Sequence, residues 1–285
     1  MMKIIKGYFR LGKGILSFAI ALSAGVGYYL AHSFSAGSFV LMFLGVYLLS
    51  MGASGLNEYY ERETDKLMKR TASRPIPSGL ISPRKALTAI ALFILIGSLC
   101  LSVLSIYALL LGLLNIVLYA FIYTPLKYKT NLATIPGGLV GAIPPLIGWY
   151  AAGQQSLSIG IVFFAAFMFL WQIPHFLILN LRFSEDYKKA GIATLVGEMS
   201  GNKFRLIFLI WTVCTVLVSL LFPSVGLITQ PVQLYACIII NIAVLLMFTY
   251  LVFHKGGERI IKGNRYMHMY LLFQFLFIVF GRLVL

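Results

Sequence analysis

The chain has 285 residues, of which 60% are hydrophobic and only 11% are charged, and its mean hydropathy is +0.92. A soluble globular protein of this length needs far more polar surface, so the composition excludes an ordinary soluble domain. The formal charge of +15 would suggest nucleic-acid binding in a soluble protein. In a membrane protein, topology and attraction to anionic lipid explain most of it, so we expect membrane lipid and no nucleic acid as a partner.

Apolar segments of single-helix length follow one another along the chain, and a helix needs roughly 20 apolar residues to cross the hydrocarbon core. Segments of this length disfavour a transmembrane β-barrel. We therefore predict an all-α polytopic membrane protein with a single domain over 1–285 and with cytoplasmic cap loops at about 57–85 and 180–205. The nine predicted spans are 15–34, 37–56, 86–105, 107–124, 135–152, 158–179, 206–223, 232–253 and 268–285.

Two local features need an interpretation. The first apolar segment follows basic residues as a signal peptide would, but it leads into another span without a convincing cleavage site, so we interpret it as a true helix. The cysteines Cys100, Cys214 and Cys237 lie in apolar spans without paired spacing. Neither a disulfide framework nor a zinc site is indicated.

The basic residues define an orientation. Lys3, Lys6, Arg10 and Lys13 precede the first span, and every further Lys or Arg except Arg282 follows span two, four, six or eight. By the positive-inside rule these segments and the N-terminus are cytoplasmic, so nine spans place the C-terminus on the opposite side. Seven of the eight carboxylates fall in two of these cytoplasmic loops.

The first acidic loop begins where the second span ends. If the helix continues, Asn57, Glu61 and Asp65 are spaced i, i+4, i+8 and share one face. Mg²⁺ accepts such oxygens together with phosphate oxygens, so the pattern predicts a metal-diphosphate site. The alternative is an ordinary charged loop whose ion pairs solvate a helix, and Glu58 and Glu63 are interpreted as such solvated neighbours. The nearby basic residues that can neutralise phosphate are Arg62, Lys66, Lys69, Arg70 and Arg74.

The sixth span carries Trp171, Gln172, Pro174 and His175, followed by the acidic pair Glu185 and Asp186. Polar side chains within a span usually face a cavity or a partner helix, so Gln172 and His175 are expected to point inward. A lone intramembrane histidine is more often an interhelical hydrogen-bond partner than a ligand. Glu185 and Asp186 diverge by about 100° on a helix, so both cannot coordinate one metal as the first triad does.

The segment from Tyr123 to Lys129 lies between these loops. Lys127 and Lys129 enter from the same cytoplasmic face as the carboxylates, so one of them is a candidate phosphate contact. The following span is rich in Gly and Pro from Pro136 to Trp149, which favours close helix packing or a cavity lining.

Taken together, several short motifs closely resemble the protoheme IX farnesyltransferases (heme O synthases), a branch of the UbiA superfamily of intramembrane prenyltransferases. The resemblance covers residues from about 50 to 195. Its motifs are Asn57-x3-Glu61-x3-Asp65, Arg70-Thr71 with Arg74-Pro75, Tyr123-Thr124, Gly148-Trp149, Trp171-Gln172-x-Pro174-His175-Phe176 and Asp186-Tyr187-x-x-Ala190-Gly191.

The resemblance implies a nine-helix bundle around a cavity that opens to lipid. It implies transfer of farnesyl from farnesyl diphosphate to a vinyl group of heme b, with Mg²⁺ as cofactor, in a bacterial inner membrane. Downstream partners would be a heme A synthase or a terminal oxidase assembly. The implied catalytic residues are Asn57, Glu61, Asp65, Arg70, Arg74, Lys127 and Asp186, with Asn57, Glu61, Asp65 and Asp186 on the metal. The implied substrate contacts are Arg62, Lys66, Tyr123, Lys129, Trp171, Gln172, His175, Tyr187, Lys188 and Lys189.

The chain departs from the family pattern in three places. Glu61 stands where the family usually has aspartate, the entry to the first span at 9–14 lacks the usual Lys-Pro-Arg, and 192–195 replaces the usual Pro-Met-Leu ending. These departures leave open an aromatic quinone precursor as the acceptor, although the second aspartate pair typical of that branch is missing. A membrane transporter is a further alternative, but it gives no reason to gather carboxylates beside arginines.

Overall fold

The computed structural model describes residues 2–194, 200–254 and 260–280, and all regular elements in these ranges are helices. The predicted all-α class is confirmed. The chain divides into two compact units, one of Met1–Ser156 with Glu185–Ala193 and the other of Leu157–Ser184 with Thr194–Leu285. Glu198, Glu258, Arg282 and parts of the predicted cap loop 180–205 and of the last span lie outside the described residues.

The helices follow in chain order. They are α1 (Met2–Leu11), α2 (Gly14–Leu30), α3 (Ala36–Asp65), α4 (Pro83–Leu104), α5 (Ile106–Ile116), α6 (Thr134–Ala151), α7 (Ile159–Arg182), α8 (Ser184–Lys189), α9 (Gly201–Leu220), α10 (Pro231–Phe253) and α11 (Asn264–Phe280). After α5, the chain continues as a π-helix (Val117–Tyr123) and a short turn of α-helix (Thr124–Leu126), and a 3₁₀ turn (Asn131–Ala133) precedes α6.

Seven helices in the described ranges are long and apolar enough to cross a bilayer, or eight if the bent pair α1 and α2 forms one span. This is fewer than the nine spans that hydropathy predicted. The ninth prediction corresponds to α11, which has 17 described residues, while 281–285 lie outside the described part. The weak break predicted near Ser105 is present, because the extended backbone of Ser105 ends α4 and its hydroxyl caps α5.

Helix α3 positions the acidic face. Its apolar first part reaches Leu56, and the helix then continues through nine polar-rich residues to Asp65. Since the helix is unbroken, Asn57, Glu61 and Asp65 lie on one face, and all three side chains are buried.

Close packing of α2 against α6 explains part of the glycine content of the first unit. A Cβ added at Gly148 would lie 1.8 Å from the carbonyl oxygen of Ala24, and one added at Gly27 would lie 1.9 Å from that of Pro145. No side chain fits at such distances, so only glycine allows the two backbones to meet. Of the two alternatives predicted for the Gly- and Pro-rich span, close packing or a cavity lining, close packing is observed at these glycines.

In the second unit, α9 packs against α7 and α10, and α11 packs against α7 and α10. Its apolar core includes the fully buried Phe167 and Phe222, whose rings meet edge to face at 5.3 Å. A buried polar network links α9, α10 and α11, since Asn241 donates to Ser219 Oγ at 3.0 Å and accepts from the Tyr270 hydroxyl at 2.7 Å. Helix α7 runs unbroken through Pro174.

Candidate active site

Asn57 occupies the first position of the acidic face. Its Nδ2 donates to the Thr124 hydroxyl at 3.2 Å, and that hydroxyl in turn donates to the Tyr119 carbonyl at 2.8 Å. Because the Thr124 hydroxyl already donates its proton to the Tyr119 carbonyl, it can only accept a hydrogen bond from Asn57. The atom of Asn57 that faces Thr124 is therefore the NH₂ nitrogen. The Oδ1 atom of Asn57 therefore points to the other side, where Lys13 Nζ donates to it at 3.0 Å.

Glu61 lies one turn further along. Its Oε1 forms an ion pair with Lys127 and accepts from the Tyr128 hydroxyl at 3.2 Å. Burial and the Glu61 carboxylate both raise the pKa of Tyr128, so the phenol stays protonated and remains a donor. The longer side chain of glutamate thus meets two partners from the segment between Tyr123 and Lys129.

Asp65 closes the face and has no exposed surface. Its Oδ2 pairs with Arg74 at 2.6 Å, and the same guanidinium lies 3.9 Å from Glu61 Oε2. Burial is the largest single effect and disfavours the charge on Arg74, but its neighbours, chiefly Asp65 and then Glu61, together raise the pKa of Arg74 above its ordinary value. The Oδ1 atom of Asp65 is buried and has no hydrogen-bond partner.

Glu58 is not the solvated neighbour that the sequence suggested. It is completely buried, and its Oε1 accepts from the backbone N–H of Ile76 at 2.9 Å. This hydrogen bond holds the loop after α3 against the helix. The position of Glu58 along α3 does not reveal such a structural role, because its partner lies 18 positions away. Glu63 is exposed as expected and pairs with Lys66 at 2.8 Å.

Lys13 is a basic site residue that the sequence did not reveal, and the same is true of Tyr119 and Tyr128. Lys13 lies between α1 and α2, and its ammonium reaches Asn57 Oδ1 as well as the Tyr119 hydroxyl at 3.3 Å. Lys13 had counted only as one of the basic residues that orient the first span. Its position in a Gly-Lys-Gly break before that span was the available signal.

The donor set suits a hard divalent cation that shares its coordination with phosphate. Among the described residues, no group of three or more His, Cys, Asp or Glu side chains is arranged to hold a metal ion. Mg²⁺, however, typically takes one or two carboxylates and completes its shell with substrate phosphates and water. Glu61, Asp65 and Asn57 supply such oxygens, and the unpartnered Oδ1 of Asp65 is an acceptor that a cation can satisfy.

The other basic residues of the first loop divide into two groups. Arg62 stacks on the Tyr59 ring at 4.7 Å and donates to the Tyr59 carbonyl, and the exposed Lys66 pairs with Glu63. These contacts direct both away from the acidic face. Arg70 is exposed and its guanidinium lies 5.9 Å from the centroid of the Tyr187 ring.

The second acidic loop contributes to the first unit through α8 and the residues after it. The backbone N–H of Ala193 donates to the Lys127 carbonyl at 2.9 Å, and Tyr187 is half-buried beside Arg70. Asp186 is half-buried, and within the described part of the chain no hydrogen bond or ion pair joins it to the acidic face of α3. Lys129, Lys188 and Lys189 are exposed.

Aromatic rings line the side of the site that faces the π-helix. Tyr119 and Tyr123 stack with centroids 5.7 Å apart, and Lys127 Nζ lies 5.9 Å from the Tyr123 centroid. The two tyrosines are four residues apart in this helical segment, so both lie on one side of it. Tyr123, which the sequence predicted as a site residue, therefore lies beside Lys127, and Lys127 in turn pairs with Glu61.

The second unit holds a separate polar cluster. Trp171 donates to the Met267 carbonyl at 2.9 Å and stacks on His175, whose ring meets His268 edge to face at 4.8 Å. Asn264 binds both histidines, through Oδ1 to His175 Nδ1 at 3.2 Å and through its carbonyl to His268 Nδ1 at 2.7 Å. A carbonyl only accepts, so Nδ1 of His268 carries the proton and Nε2 keeps its lone pair. Gln172 is half-buried.

The model of the UbiA prenyltransferase family matches residues 18–272. The protoheme IX farnesyltransferase of Cytophaga hutchinsonii is 41% identical over 214 residues, which cover 73% of this chain and 74% of the relative. The enzyme of the same name from Sorangium cellulosum is 39% identical over 210 residues, covering 70% and 71%.

Solved structures share the fold. One that concerns digeranylgeranylglyceryl phosphate synthase superimposes with a TM-score of 0.81 at 20% identity over all of both chains. A UbiA homolog from Archaeoglobus fulgidus bound to DMAPP and Mg²⁺ gives a TM-score of 0.72 at 19% identity, covering 97% of this chain and 98% of that one. At these identities the likeness concerns the fold alone.

The chain belongs to the UbiA prenyltransferase family and is an integral membrane protein. Within that family, the relatives described above carry the name protoheme IX farnesyltransferase. The predicted resemblance and the all-α membrane fold are confirmed, and the match to a prenyltransferase family favours an enzyme over the transporter alternative.

Proposed function

We propose that the chain transfers a farnesyl group from farnesyl diphosphate to a vinyl group of heme b, with free diphosphate as the second product. The observation that carries this proposal is the buried acidic face of α3, with its ring of cations, in a chain that matches protoheme IX farnesyltransferases over about 70% of its length.

On the donor side, Asn57, Glu61 and Asp65 would hold Mg²⁺, which supplies charge stabilisation for the departing diphosphate. Arg74, Lys127 and Lys13 surround the same oxygens and offer donors to phosphate. Asp186 is proposed as a further metal ligand and Arg70 as a further phosphate contact. The half-buried Arg62 and the exposed Lys66, Lys129, Lys188 and Lys189 have a weaker basis in the structure, because none of them bonds to the acidic face among the described residues.

Loss of the diphosphate leaves an allylic cation, which the vinyl carbon of the acceptor attacks, so no protein nucleophile is required. The ring faces of Tyr119 and Tyr123 can stabilise such a cation by about 0.5–2 kcal/mol each. This attack leaves a cation at the former vinyl carbon next to the porphyrin ring. Water adds to that carbon and releases one proton to solvent, which completes the hydroxyethylfarnesyl product.

On the acceptor side, we propose that His175 contacts the porphyrin, with Trp171, Gln172 and Tyr187 as further substrate contacts. If Nδ1 of His175 donates to Asn264, its Nε2 keeps a lone pair that is suited to iron.

Titration of the purified protein with hemin, followed by the Soret absorbance, tests this contact. His175→Ala should weaken hemin binding and change the spectrum, whereas His254→Ala, at the exposed end of α10, should match the wild type. Identical titrations for His175→Ala and the wild type would contradict the contact.

We further propose that the enzyme lies in the bacterial inner membrane with its N-terminus and acidic loops in the cytoplasm. Its product would pass to a heme A synthase or a terminal oxidase assembly. The orientation rests on the distribution of Lys and Arg along the chain.

The deciding experiment is a product assay. Purified protein is incubated with Mg²⁺, farnesyl diphosphate and either heme b or a hydroxybenzoate, and the products are identified by mass spectrometry. We expect the hydroxyethylfarnesyl heme and no prenylated benzoate. Prenylated benzoate alone would assign the chain to the quinone branch, and no product with either acceptor would overturn the proposed function.

A further inference from the structure

Each of the three proposed metal ligands on α3 is already bound by a cation of the protein. Lys13 donates to Asn57 Oδ1 at 3.0 Å, Lys127 pairs with Glu61 Oε1, and Arg74 pairs with Asp65 Oδ2 at 2.6 Å. The three cations come from three different segments. An acidic site in a membrane protein would otherwise leave buried carboxylates unpaired, at a cost of several kcal/mol.

The backbone at Lys13 adopts a conformation that is unfavourable for a lysine. Lys13 has φ 47° and ψ 51°, a left-handed conformation that glycine or asparagine adopts more easily. The neighbouring Gly12 lies so close to Met51 that an added Cβ would be 2.5 Å from its side chain. The break between α1 and α2 is therefore built tightly, and the residue at its centre points its ammonium at Asn57.

The charges of this cluster balance. The buried carboxylates are Glu58, Glu61 and Asp65, and three basic side chains offset their formal charge. Arg74 pairs with Asp65, Lys127 pairs with Glu61, and Lys13 binds the neighbouring Asn57. A bare divalent cation that took the oxygens of Asn57 and Glu61 would displace two ammonium groups from these oxygens and leave their positive charges next to its own. That arrangement is costly in a buried site.

Diphosphate removes this obstacle because it provides acceptor oxygens for the displaced ammonium groups. Arg74 need not move, since it binds Oδ2 of Asp65 and leaves the buried Oδ1 without a partner. The site therefore contains one ligand atom that is open and two that are covered by lysines.

We propose that Lys13 and Lys127 are exchangeable counter-cations, which cover Asn57 and Glu61 in the ligand-free site and turn to the diphosphate when it binds with the metal. This inference rests on the proposed metal-diphosphate site and adds a coupling to it. The metal frees the two lysines for the diphosphate, and the diphosphate provides acceptors for the lysines that the metal displaces. Metal and diphosphate therefore bind with positive cooperativity, and the metal alone binds weakly. Linkage requires the coupling to be reciprocal.

The test measures Mn²⁺ as a stand-in for Mg²⁺, by electron paramagnetic resonance and equilibrium dialysis of the full chain in detergent. Affinity is measured with and without inorganic diphosphate, and protein-free diphosphate serves as the reference. In the wild type we expect diphosphate to tighten Mn²⁺ binding by on the order of tenfold or more. Lys13→Met should bind Mn²⁺ alone more tightly than the wild type and should show a smaller effect of diphosphate. Lys127→Met should change in the same direction.

Two variants act as controls. Lys13→Arg keeps the cation and should retain the weak binding of Mn²⁺ alone, and Lys85→Met, at an exposed position of α4, should match the wild type throughout. Size-exclusion profiles and melting curves show which variants remain folded. If Lys13→Met does not fold, Lys127→Met carries the test.

The outcomes separate this inference from the proposed function. Unchanged or weaker binding of Mn²⁺ alone in folded Lys13→Met and Lys127→Met would overturn the exchange but leave the metal site intact. Absence of Mn²⁺ binding to the wild type even with diphosphate would overturn both. Neither farnesyl nor heme is present, so failure of the transfer assay with either acceptor leaves this measurement unaffected.

Discussion

At the scale of single residues, the position of a side chain on the face of α3 does not by itself decide whether that side chain belongs to the site. Asn57, Glu61 and Asp65 are spaced as the sequence requires and are all buried, yet Glu58 is equally buried and serves the loop at Ile76. The difference lies in the partner. Glu61 and Asp65 meet basic side chains, whereas Glu58 meets a backbone N–H.

Asp65→Asn keeps the size of the side chain but removes its charge. We expect it to lower the transfer rate by roughly 10²–10³-fold, the range seen when one strong electrostatic contact to a transition state is lost. Initial rates with farnesyl diphosphate and heme b measure the effect. Glu63→Gln, which changes an exposed carboxylate on the same helix, is the matched control and should stay within about twofold of the wild type. Equal rates for Asp65→Asn and the control would contradict the role of Asp65.

Glu58 should matter for stability through its bond to Ile76. Glu58→Gln retains an oxygen that can accept from the backbone N–H, whereas Glu58→Ala leaves that N–H unpaired in a buried place, which costs about 1–3 kcal/mol. Thermal unfolding in detergent should therefore show a lower midpoint for Glu58→Ala than for Glu58→Gln. Glu63→Ala, at an exposed position, should change stability by less than about 0.5 kcal/mol. The structural role would be wrong if Glu58→Ala unfolded together with the wild type.

At the scale of helices, two features position the site. Helix α3 extends well past its apolar part and thereby projects the acidic face beyond the end of the apolar segment. The π-helical segment after α5 places Tyr119 and Tyr123 beside it. Close packing of α2 on α6 stabilises the same unit, because the two backbones touch at Gly27 and Gly148.

Gly148→Ala should disturb this packing. The added methyl group would collide with the backbone of α2, which cannot rotate away as a side chain can, so we expect a loss of at least about 1–3 kcal/mol. Gly37→Ala, in α3 with no atom within 4 Å of the new Cβ, should change stability by no more than about 1 kcal/mol. Melting midpoints of the two variants compare the positions directly. A Gly148→Ala midpoint at or above that of Gly37→Ala would show that the helices can separate without cost.

At the scale of the whole molecule, the charge distribution predicts which segments share a side of the membrane. The loop of Lys85 and the acidic face would be cytoplasmic, while the segment around Gln155 would lie on the opposite side. Both positions are exposed. They are therefore suitable for chemical labelling.

In a variant without native cysteines, Gln155→Cys should react with a membrane-impermeant maleimide added to intact bacterial cells freed of their outer membrane, because it faces outward. Lys85→Cys should react only after the membrane is permeabilised. Gel shifts of the labelled protein report both. The reverse pattern would overturn the orientation, and labelling of both positions in intact cells would contradict the assignment of the segments to opposite sides.

The sequence by itself determined the membrane class, the all-α fold, the positions of most spans and the shared face of Asn57, Glu61 and Asp65. Each of these depends on local hydropathy or on the helical period, which can be read along the chain. The family motifs also follow from short strings of residues. Local hydropathy predicted nine spans, but seven or eight helices within the described ranges are long and apolar enough to cross a bilayer. It also did not predict the bend between the first two helices.

Only the tertiary structure decided which partners the site residues meet. Lys13 reaches Asn57 across 44 positions of sequence, and Lys127 reaches Glu61 across 66, while the nearer Arg62 and Lys66 turn away. Such pairings depend on how helices pack and on which charges burial forces together, and neither is encoded in local spacing. The acidic face was visible in the sequence, but the cations that cover it were not.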